Sequence, residues 1–418
     1  MNTGKNPDYA ALMRDDLNAL RQRGEGRIFV ELERLAARPP YARVHGMSES
    51  QSAAPNTNAG GEVQVWCSND YLGLGQNPKV IAAMEKALRH SGAGAGGTRN
   101  IAGSNHELLC LERELAAFHK REAALVFSSG YVANMATLAA LGARLENAVI
   151  FSDSRNHASM IEGMRLSRAE KQIFPHNDTA ALEAMLAECP RERAKIVALE
   201  SVYSMRGDFA PLGEVVRLAR EHGALTFIDE VHGVGLYGEN GAGLAEELGV
   251  AAETDIIAGT LAKALGCFGG YIAGSALVCD FVRAHASGFI FTTALPPYIA
   301  AGARAALRIV AEGADLRRRL HGHAARLREE LGAAGLPVLE SRSQIVPLAV
   351  GDSDRCRAIA DRLLARHGIY IQPINYPTVA RGEECLRITP SPHHREDDRR
   401  RLVAALAESW RAVTEGGT

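Results

Sequence analysis

Two short apolar segments constrain the fold of this chain more than any other feature of its sequence. ALTFIDE (224–230) and DIIAGTL (255–261) have the length and apolar character of buried strands in a parallel sheet. One strand–helix–strand unit separates them, so their carboxyl ends should open on the same edge of one sheet. Strand and helix patterns alternate up to about residue 280. This alternation predicts an α/β protein with a doubly wound, mostly parallel central sheet.

The two segments bring an acid, an imidazole and a lysine to that edge. Asp229 lies at the end of the first segment and is followed by His232, while Thr260 and Lys263 lie at the end of the second. Only seven of the 47 lysine and arginine residues are lysines, and Lys263 alone among them has small and apolar neighbours, in GTLAKALG. Burial lowers the pKa of a lysine and prepares its amine to form a Schiff base with an aldehyde. We therefore predict a catalytic lysine rather than one that extends along a helix to solvent.

Further polar residues follow other predicted strands. Ser129 and Gly130 connect a strand to a helix, and the free N–H groups of a helix N-terminus bind phosphate well. Serine capping without a ligand is the common alternative. His157 and Ser201 also come just after strands. The glycine loop GAGAGGTRN (92–100) is predicted to contact a ligand, although it lacks the spacing of a nucleotide-binding fingerprint.

Length, charge and cysteine pattern exclude several classes of function. With 418 residues and a net charge of −2, the chain can bury a full hydrophobic core but has no basic field for nucleic acid. Its seven cysteines form no CxxC pair, and HELLC (106–110) has a cysteine where a zinc motif needs its second histidine, so no metal site is predicted. No run reaches the roughly 18 apolar residues of a membrane span. The N-terminus shows no targeting pattern, and we expect a cytoplasmic enzyme.

Composition divides the chain into three parts. Residues 1–60 should form an N-terminal arm of two helices, within residues 9–37, followed by a polar linker. Residues 61–301 should form the α/β domain that carries the site. Residues 302–418 should form a smaller α+β C-terminal domain.

A Schiff-base lysine, an aspartate on the neighbouring strand and a phosphate site at a helix N-terminus together indicate pyridoxal 5'-phosphate. The aldehyde of this cofactor binds a lysine, and its pyridine nitrogen needs an anionic partner so that the ring can act as an electron sink. Asp229 suits the role of that partner. His157 is placed to cover the face of the ring.

The sequence contains the motifs WCSNDYLG, GGTRNI, FSSGYVAN, NHASMIEG, ESVYSM, GDFAP, DEVH, GFIFTT, LPP, QPINYPTV and LRITPSP. In these motifs the chain resembles the α-oxoamine synthases, a family of fold-type I pyridoxal phosphate enzymes, from about residue 25 to beyond residue 392. The resemblance is closest to the members that use succinyl-CoA. It implies an acyltransferase that condenses glycine with succinyl-CoA to 5-aminolevulinate, CO₂ and CoA, in the first step of tetrapyrrole and heme biosynthesis. It also implies a homodimer with shared active sites.

The resemblance implies roles for individual residues. Lys263 would hold the cofactor as an internal aldimine and remove a proton from the glycine Cα, Asp229 would pair with the pyridine nitrogen, and His157 would stack on the ring. The remaining cofactor contacts would be Ser129, Gly130, Tyr131, Ser201, Ser204, His232, Thr260 and, across the dimer, Thr292 of the partner subunit. The substrate contacts would be Asn69 and Arg387 for the glycine carboxylate, Arg27, Thr98 and Asn100 for the succinyl carboxylate, and Thr378 on a loop over the acyl-CoA.

Departures from the family pattern leave a second function open. Ala262 stands in place of a glycine, Arg206 in place of an aspartate and Ala380 in place of a proline, and IAGSNHELL resembles relatives that use other acyl groups. The alternative is a related synthase that uses another acyl-CoA or serves secondary metabolism or signalling. A cofactor-free binding protein that has kept the fold is a third reading, against which the intact Lys263 and Asp229 argue.

Overall fold

The computed structural model of the protein describes residues 6–23, 25–26, 29–45 and 61–415. Within these ranges the strands are β1 Glu31–Arg34, β2 Tyr41–His45, β3 Glu62–Val65, β4 Ala123–Phe127, β5 Val149–Asp153, β6 Glu170–Phe174, β7 Lys195–Glu200, β8 Ala224–Asp229, β9 Ile256–Thr260, β10 Gly270–Gly274, β11 Val346–Ala349, β12 Ile369–Tyr370, β13 Pro373–Ile374 and β14 Cys385–Ile388. The α-helices are α1 Tyr9–Gln22, α2 Pro78–Ser91, α3 His106–Phe118, α4 Gly130–Arg144, α5 Ala158–Ser167, α6 Thr179–Glu188, α7 Leu212–Glu221, α8 Leu244–Glu247, α9 Ala276–His285, α10 Ser287–Ile290, α11 Pro297–Glu312, α12 Ala314–Ala333, α13 Ser353–His367 and α14 Glu396–Thr414.

The central sheet has seven strands in the order β4-β10-β9-β8-β7-β5-β6. Strands β5 to β9 pair in parallel with their neighbours, and β10 is antiparallel to both β4 and β9. The sheet is therefore mostly parallel, which confirms the predicted fold class. The two segments that suggested it form neighbouring strands, because β8 pairs with β9.

Helices cover both faces of this sheet. One apolar core packs residues of α3, α7 and α11 against one face, and a second packs α4, α5 and α9 against the other. Strands β7 and β9 are buried along their whole length, which explains why their sequences are continuously apolar rather than alternating. The carboxyl edge of the sheet is the part left to carry a site.

The N-terminal segment differs from its prediction. The first predicted helix is present as α1, but the second is not, because residues 31–34 form β1 and pair in antiparallel register with β2. The spacing of Leu32 and Leu35 fits one face of a helix, yet Leu32 instead lies opposite Val44 across the two strands. Tertiary pairing thus overrides the local pattern. Most of the predicted linker, residues 46–60, lies outside the described residues.

The C-terminal part is an α+β unit, as predicted. Strands β11, β14 and β13 form an antiparallel sheet that packs with α12, α13 and α14 around its own apolar core. The segment IYIQPI (369–374) forms two short strands, β12 and β13, and β12 pairs in parallel with β3 near the N-terminus. The boundaries at residues 60/61 and 301/302 stay a prediction.

The described residues contain neither a membrane-spanning helix nor a cluster of metal ligands. Among them, no helix combines the length and the apolar character needed to cross a membrane. The same residues contain no group of three or more His, Cys, Asp and Glu side chains placed to hold a metal ion.

Candidate active site

Lys263 lies just after β9, at the carboxyl edge of the central sheet. Its Nζ atom is 2.9 Å from Nε2 of His232. Burial lowers the pKa of Lys263 to about 8, although the charge of Asp229 opposes this effect. An amine with this pKa can lose its proton near neutral pH, as a Schiff-base lysine must.

His232 links Lys263 to Arg387 through a tyrosine. Its Nδ1 atom is 2.7 Å from the hydroxyl of Tyr71, which also accepts a hydrogen bond from Arg387 Nη2 at 2.9 Å. Burial, and after it the charge of Lys263, hold the pKa of His232 well below its usual value, so the ring is neutral. A neutral ring that accepts from the lysine at Nε2 donates from Nδ1 to Tyr71.

Asp229 is fixed at the end of β8 by two hydrogen bonds. Its Oδ2 atom accepts from Asn134 Nδ2 at 2.6 Å, and Oδ1 accepts from the N–H of Val231 at 2.8 Å. Asn134 lies on α4 and also donates to Ser159 Oγ at 3.1 Å. The carboxylate of Asp229 therefore has a fixed orientation in the cavity that contains Lys263.

The start of α4 forms a candidate phosphate site. Ser129 caps the helix, because its Oγ accepts the N–H of Val132 at 3.1 Å. The N–H groups of Gly130 and Tyr131 have no backbone acceptor among the described residues, and both residues line the cavity. Gly270 allows the helix start to lie directly on β10, since a Cβ atom at residue 270 would be 2.3 Å from the nitrogen of Gly130.

His157 and Tyr131 both line the cavity that contains Lys263. The ring of His157 is oriented by Ser159, whose Oγ is 2.7 Å from Nδ1 and whose N–H donates to the same atom at 3.2 Å. The ring of Tyr131 meets it edge to face, with 6.1 Å between centroids. His157 is thus placed to cover one face of a planar ligand.

Two cavities meet at Lys263. The first, of about 90 Å³, is lined by Gly130, Tyr131, Asn134, His157, Ser159, Glu200, Asp229, Val231, His232, Thr260 and Lys263. The second, of about 250 Å³, shares His157, His232 and Lys263 with the first and reaches Arg387. The two cavities therefore offer one space for a ring next to the lysine and another for a substrate.

Arg387 supplies the second cavity with a buried cation. Its Nε donates to the carbonyl of Ser204 at 2.7 Å, and its Nη1 donates to Asn69 Oδ1 at 3.1 Å. The residue is only 5% exposed, and the acceptors of these bonds and of the Tyr71 bond are all neutral oxygens. A buried guanidinium with neutral partners is well suited to bind a carboxylate in two-point geometry.

The structure brings together most of the predicted site residues. Those that line one or both cavities are Asn69, Gly130, Tyr131, His157, Ser204, Asp229, His232, Thr260, Lys263 and Arg387. The hydroxyl of Ser201 is directed elsewhere, since it donates to the buried carboxylate of Glu230 at 2.6 Å. Arg27 lies outside the described residues.

The predicted acyl-group residues lie farther away. Thr98 donates to Asn100 at 2.8 Å, and neither of them, nor Thr292, lines either cavity of its own chain. Thr378 lines a separate groove of about 380 Å³ that includes Glu25. At the end of the loop that carries Thr378, Glu383 pairs with Arg206, the residue that replaces the usual aspartate, at 2.7 Å.

Several residues of the site were not predicted, among them Tyr71, Asn134 and Glu200. Asn134 could have been found, because it follows Gly130 by about one helical turn and is polar in an otherwise apolar stretch. Glu200 ends β7 as Asp229 ends β8, so its position was also a signal. Tyr71 follows no strand of the central sheet, and nothing in the sequence shows that it reaches His232.

These residues fit pyridoxal phosphate. The cavity contains the Lys263 amine with its lowered pKa, the Asp229 carboxylate held by Asn134, and the two N–H groups at the start of α4. A Cβ atom at residue 130 would lie 3.3 Å from Cβ of Thr260, so glycine keeps the phosphate end of the cavity open. The fold and the site together define a pyridoxal phosphate-dependent enzyme of fold type I.

Comparison with known proteins identifies the family within this class of enzymes. Residues 62–406 match the family model described as Aminotransferase class I and II. The 5-aminolevulinate synthase of Bradyrhizobium diazoefficiens is 49% identical over 403 residues, which cover 96% of each chain. The 5-aminolevulinate synthase 2 of Cereibacter sphaeroides is 51% identical over 390 residues, covering 93% of this chain and 94% of its own. The chain belongs to the 5-aminolevulinate synthase family.

A solved structure supports the same assignment at the level of the fold. The serine palmitoyltransferase of Sphingomonas wittichii superposes with a TM-score of 0.87 at 29% identity, covering 97% of this chain and 98% of the other. The resemblance inferred from the motifs is thereby confirmed.

Proposed function

We propose that this protein condenses glycine with succinyl-CoA, forms 5-aminolevulinate and releases CO₂ and CoA, and so starts tetrapyrrole and heme synthesis. The observation that carries the proposal is the buried amine of Lys263, 2.9 Å from His232, in a cavity that opens towards the cation of Arg387. Membership of the 5-aminolevulinate synthase family supports the choice of substrates.

The first cavity holds the cofactor in this proposal. When bound, pyridoxal phosphate supplies the electron sink that stabilises negative charge at the glycine Cα. The N–H groups of Gly130 and Tyr131 would bind the phosphate, joined by the hydroxyl of Thr260 once it turns from the carbonyl of Gly269, to which it donates at 3.0 Å. Asp229 would keep the pyridine nitrogen protonated. Lys263 Nζ would hold the cofactor and, when the amine of glycine replaces it there, would be free to take the proton from the glycine Cα. Ser204 and Nε2 of His232 would hold the ring hydroxyl, which would replace the lysine amine as the partner of Nε2.

The second cavity holds glycine. Arg387 and Asn69 bind its carboxylate, because the buried guanidinium gains a charged acceptor in place of neutral ones. The groove of about 380 Å³ that contains Thr378 lies beside this cavity, and both are lined by Gln372 and Ile374. We place the acyl-CoA in this groove.

The succinyl carboxylate requires a second set of contacts. We assign it to Arg27, Thr98 and Asn100, as the resemblance implies. Thr98 and Asn100 line neither cavity of their own chain, and Ile101 beside them is 75% exposed. Phe291 is 79% exposed and precedes Thr292. These exposed apolar side chains support a homodimer in which Thr98, Asn100 and Thr292 serve the site of the opposite subunit.

A panel of acyl-CoAs tests the proposal directly. Purified protein with cofactor and glycine should release CoA from succinyl-CoA at least tenfold faster than from acetyl-, butyryl- or palmitoyl-CoA, since each of those lacks the second carboxylate. Preference for one of the other thioesters would establish the alternative, a related synthase with a different acyl donor. We expect the enzyme in the cytoplasm, which fractionation of the source cells would check.

Two lysine variants serve as controls for this panel. Lys263→Ala should abolish both the absorbance of the bound cofactor and the release of CoA, because no other amine lies in the cavity among the described residues. Lys171→Ala changes an exposed lysine of β6 and should retain both signals. A Lys263→Ala protein that still turns over succinyl-CoA would rule out the proposed chemistry.

A further inference from the structure

Glu200 is a second buried carboxyl group beside Asp229. It is the last residue of β7 and lies directly opposite Asp229 in the parallel pairing with β8, so both side chains leave the sheet on the same face. Glu200 is 3% exposed and lines the cavity that contains Lys263. Its Oε1 atom is buried and has no hydrogen-bond partner. The cofactor contacts proposed above do not use it.

Two carboxylates on adjacent strands in one buried cavity do not both stay ionised. Both oxygens of Asp229 are hydrogen-bonded, one to Asn134 and the other to the N–H of Val231, whereas Oε1 of Glu200 has no partner among the described residues. Burial, and after it Asp229, raise the pKa of Glu200 well above its usual value, while Lys263 lowers it.

Few other groups face Glu200. The backbone N–H groups of His157 and Ser204 interact with its carboxyl and favour the ionised form. The hydroxyl of Tyr203 lies near Glu200, and burial together with the charges of Asp153 and Glu200 raises its pKa. Of the two charged groups that act on Glu200, Asp229 is negative and Lys263 is positive.

We propose that Glu200 is a neutral carboxylic acid that positions the loops bearing His157 and Ser204 and leaves Asp229 as the single anion of the cofactor site. The proposal rests on the function proposed for this cavity. A second anion at residue 200 would raise the pKa of Lys263 and keep its amine protonated. Burial lowers the pKa of Lys263 even though a charged Glu200 would raise it, and a neutral acid at residue 200 removes that opposing effect.

Infrared spectroscopy of the full-length protein tests the protonation state. The wild-type protein, stripped of cofactor, should show the carbonyl band of a protonated carboxylic acid at about pH 8, above the pKa of about 7 to which burial raises the other buried acid, Glu230, and Glu200→Gln should lose most of this band. The same difference should persist after cofactor is added. An unchanged spectrum in the variant would show that Glu200 is ionised and would overturn the proposal.

The reactivity of Lys263 gives an independent readout. Reductive methylation with formaldehyde, followed by peptide mass mapping, measures the pKa of Lys263 in cofactor-free protein. Glu200→Gln should shift the midpoint by less than about 0.3 units, and Asp229→Asn should lower it by about one unit, because only the second change removes an anion. Equal downward shifts in the two variants would overturn the proposal.

A third variant separates positioning from protonation. Glu200→Ala should weaken cofactor binding roughly tenfold. Glu200→Gln keeps an uncharged side chain of the same shape and should bind the cofactor at least several-fold more tightly than Glu200→Ala. Equal affinities of the two variants would argue against a positioning role. Since the infrared and methylation measurements need neither substrate nor cofactor, their outcome is distinguishable from a failure of the proposed condensation.

Discussion

At the residue scale, the hydroxyl of Tyr71 joins the two halves of the site. It contacts Nδ1 of His232 on one side and Nη2 of Arg387 on the other, and it lies 316 positions from Arg387 in the sequence. One hydroxyl therefore orients both the histidine beside Lys263 and the cation that we assign to the glycine carboxylate. Such a bridge makes the orientation of each group depend on the other.

Tyr71→Phe should therefore weaken glycine binding without unfolding the protein. The change leaves a buried imidazole N–H and a guanidinium N–H without their shared acceptor, at a cost of about 1–3 kcal/mol. We expect KM for glycine to rise roughly tenfold and KM for succinyl-CoA to change less than twofold. Steady-state kinetics with each substrate varied in turn would measure this, and equal rises in both KM values would contradict it.

At the element scale, the contact between the start of α4 and β10 places the phosphate site. Gly270→Ala should disturb it, because the new Cβ atom would lie 2.3 Å from the nitrogen of Gly130. Relief of that overlap costs about 1–3 kcal/mol and moves the N–H groups, so cofactor affinity should fall at least tenfold. Fluorescence titration with pyridoxal phosphate would measure it.

A matched glycine provides the control for this variant. Gly213 lies on α7, and a Cβ atom there would meet nothing within 4 Å. Gly213→Ala should leave cofactor affinity unchanged and raise stability by up to about 1 kcal/mol, as alanine does in helices. Equal loss of affinity in both variants would show that the contact of α4 with β10 is not the cause.

A cluster around His176 connects three loops at the carboxyl edge of the central sheet. His176 follows β6 and lies between two carboxylates. Asp153, at the end of β5, is 2.9 Å from Nδ1 of the ring, and Asp208, after β7, is 2.5 Å from Nε2. The ring also packs edge to face on Tyr203, with centroids 4.4 Å apart. Although burial opposes it, the two carboxylates raise the pKa of His176 to about 9.

This cluster predicts a stability that depends on pH. Because the pKa of His176 is raised from 6.5 to about 9 on folding, its contribution is complete below pH 6.5 and is lost as the pH rises through 9. His176→Gln should lower the free energy of unfolding by about 2 kcal/mol at neutral pH and flatten its decline towards alkaline pH. Urea unfolding at several pH values would measure this. The exposed His90→Gln is the control, and a parallel decline in the wild type and in His176→Gln would contradict the prediction.

At the scale of the whole molecule, the proposed site needs two subunits. Lys263→Ala removes the amine, and Thr292→Glu places a negative charge next to the phosphate of the opposite subunit, so each variant alone should be inactive. A heterodimer of the two contains one intact site. Unfolding and refolding them together should restore about a quarter of wild-type activity, since half of the dimers are mixed and each has one working site of two.

This complementation distinguishes shared sites from independent ones. If each chain completed its own site, the mixture would stay as inactive as its parts. Sedimentation analysis of the refolded mixture is the control, because it shows that dimers have formed.

The sequence by itself determined the chemistry at the sheet edge. Asp229, His232, Thr260 and Lys263 follow strands of one parallel sheet, and the carboxyl ends of such strands meet at a single edge whatever the rest of the chain does. The local sequence pattern was therefore sufficient to predict that the lysine, the acid and the helix start at Gly130 lie close together. The same reasoning predicted a helix near residues 29–37, where pairing with β2 produced a strand instead.

Only the tertiary structure decided which distant residues complete the site. Arg387 comes from the C-terminal unit and Tyr71 from a loop before the central sheet, and no periodicity connects them to Lys263. Their contact depends on how the C-terminal unit packs against that loop. Likewise, the sequence marks Glu200 as a strand-end carboxyl, but its place beside Asp229 follows from the strand order, and its burial follows from the packing around the sheet edge.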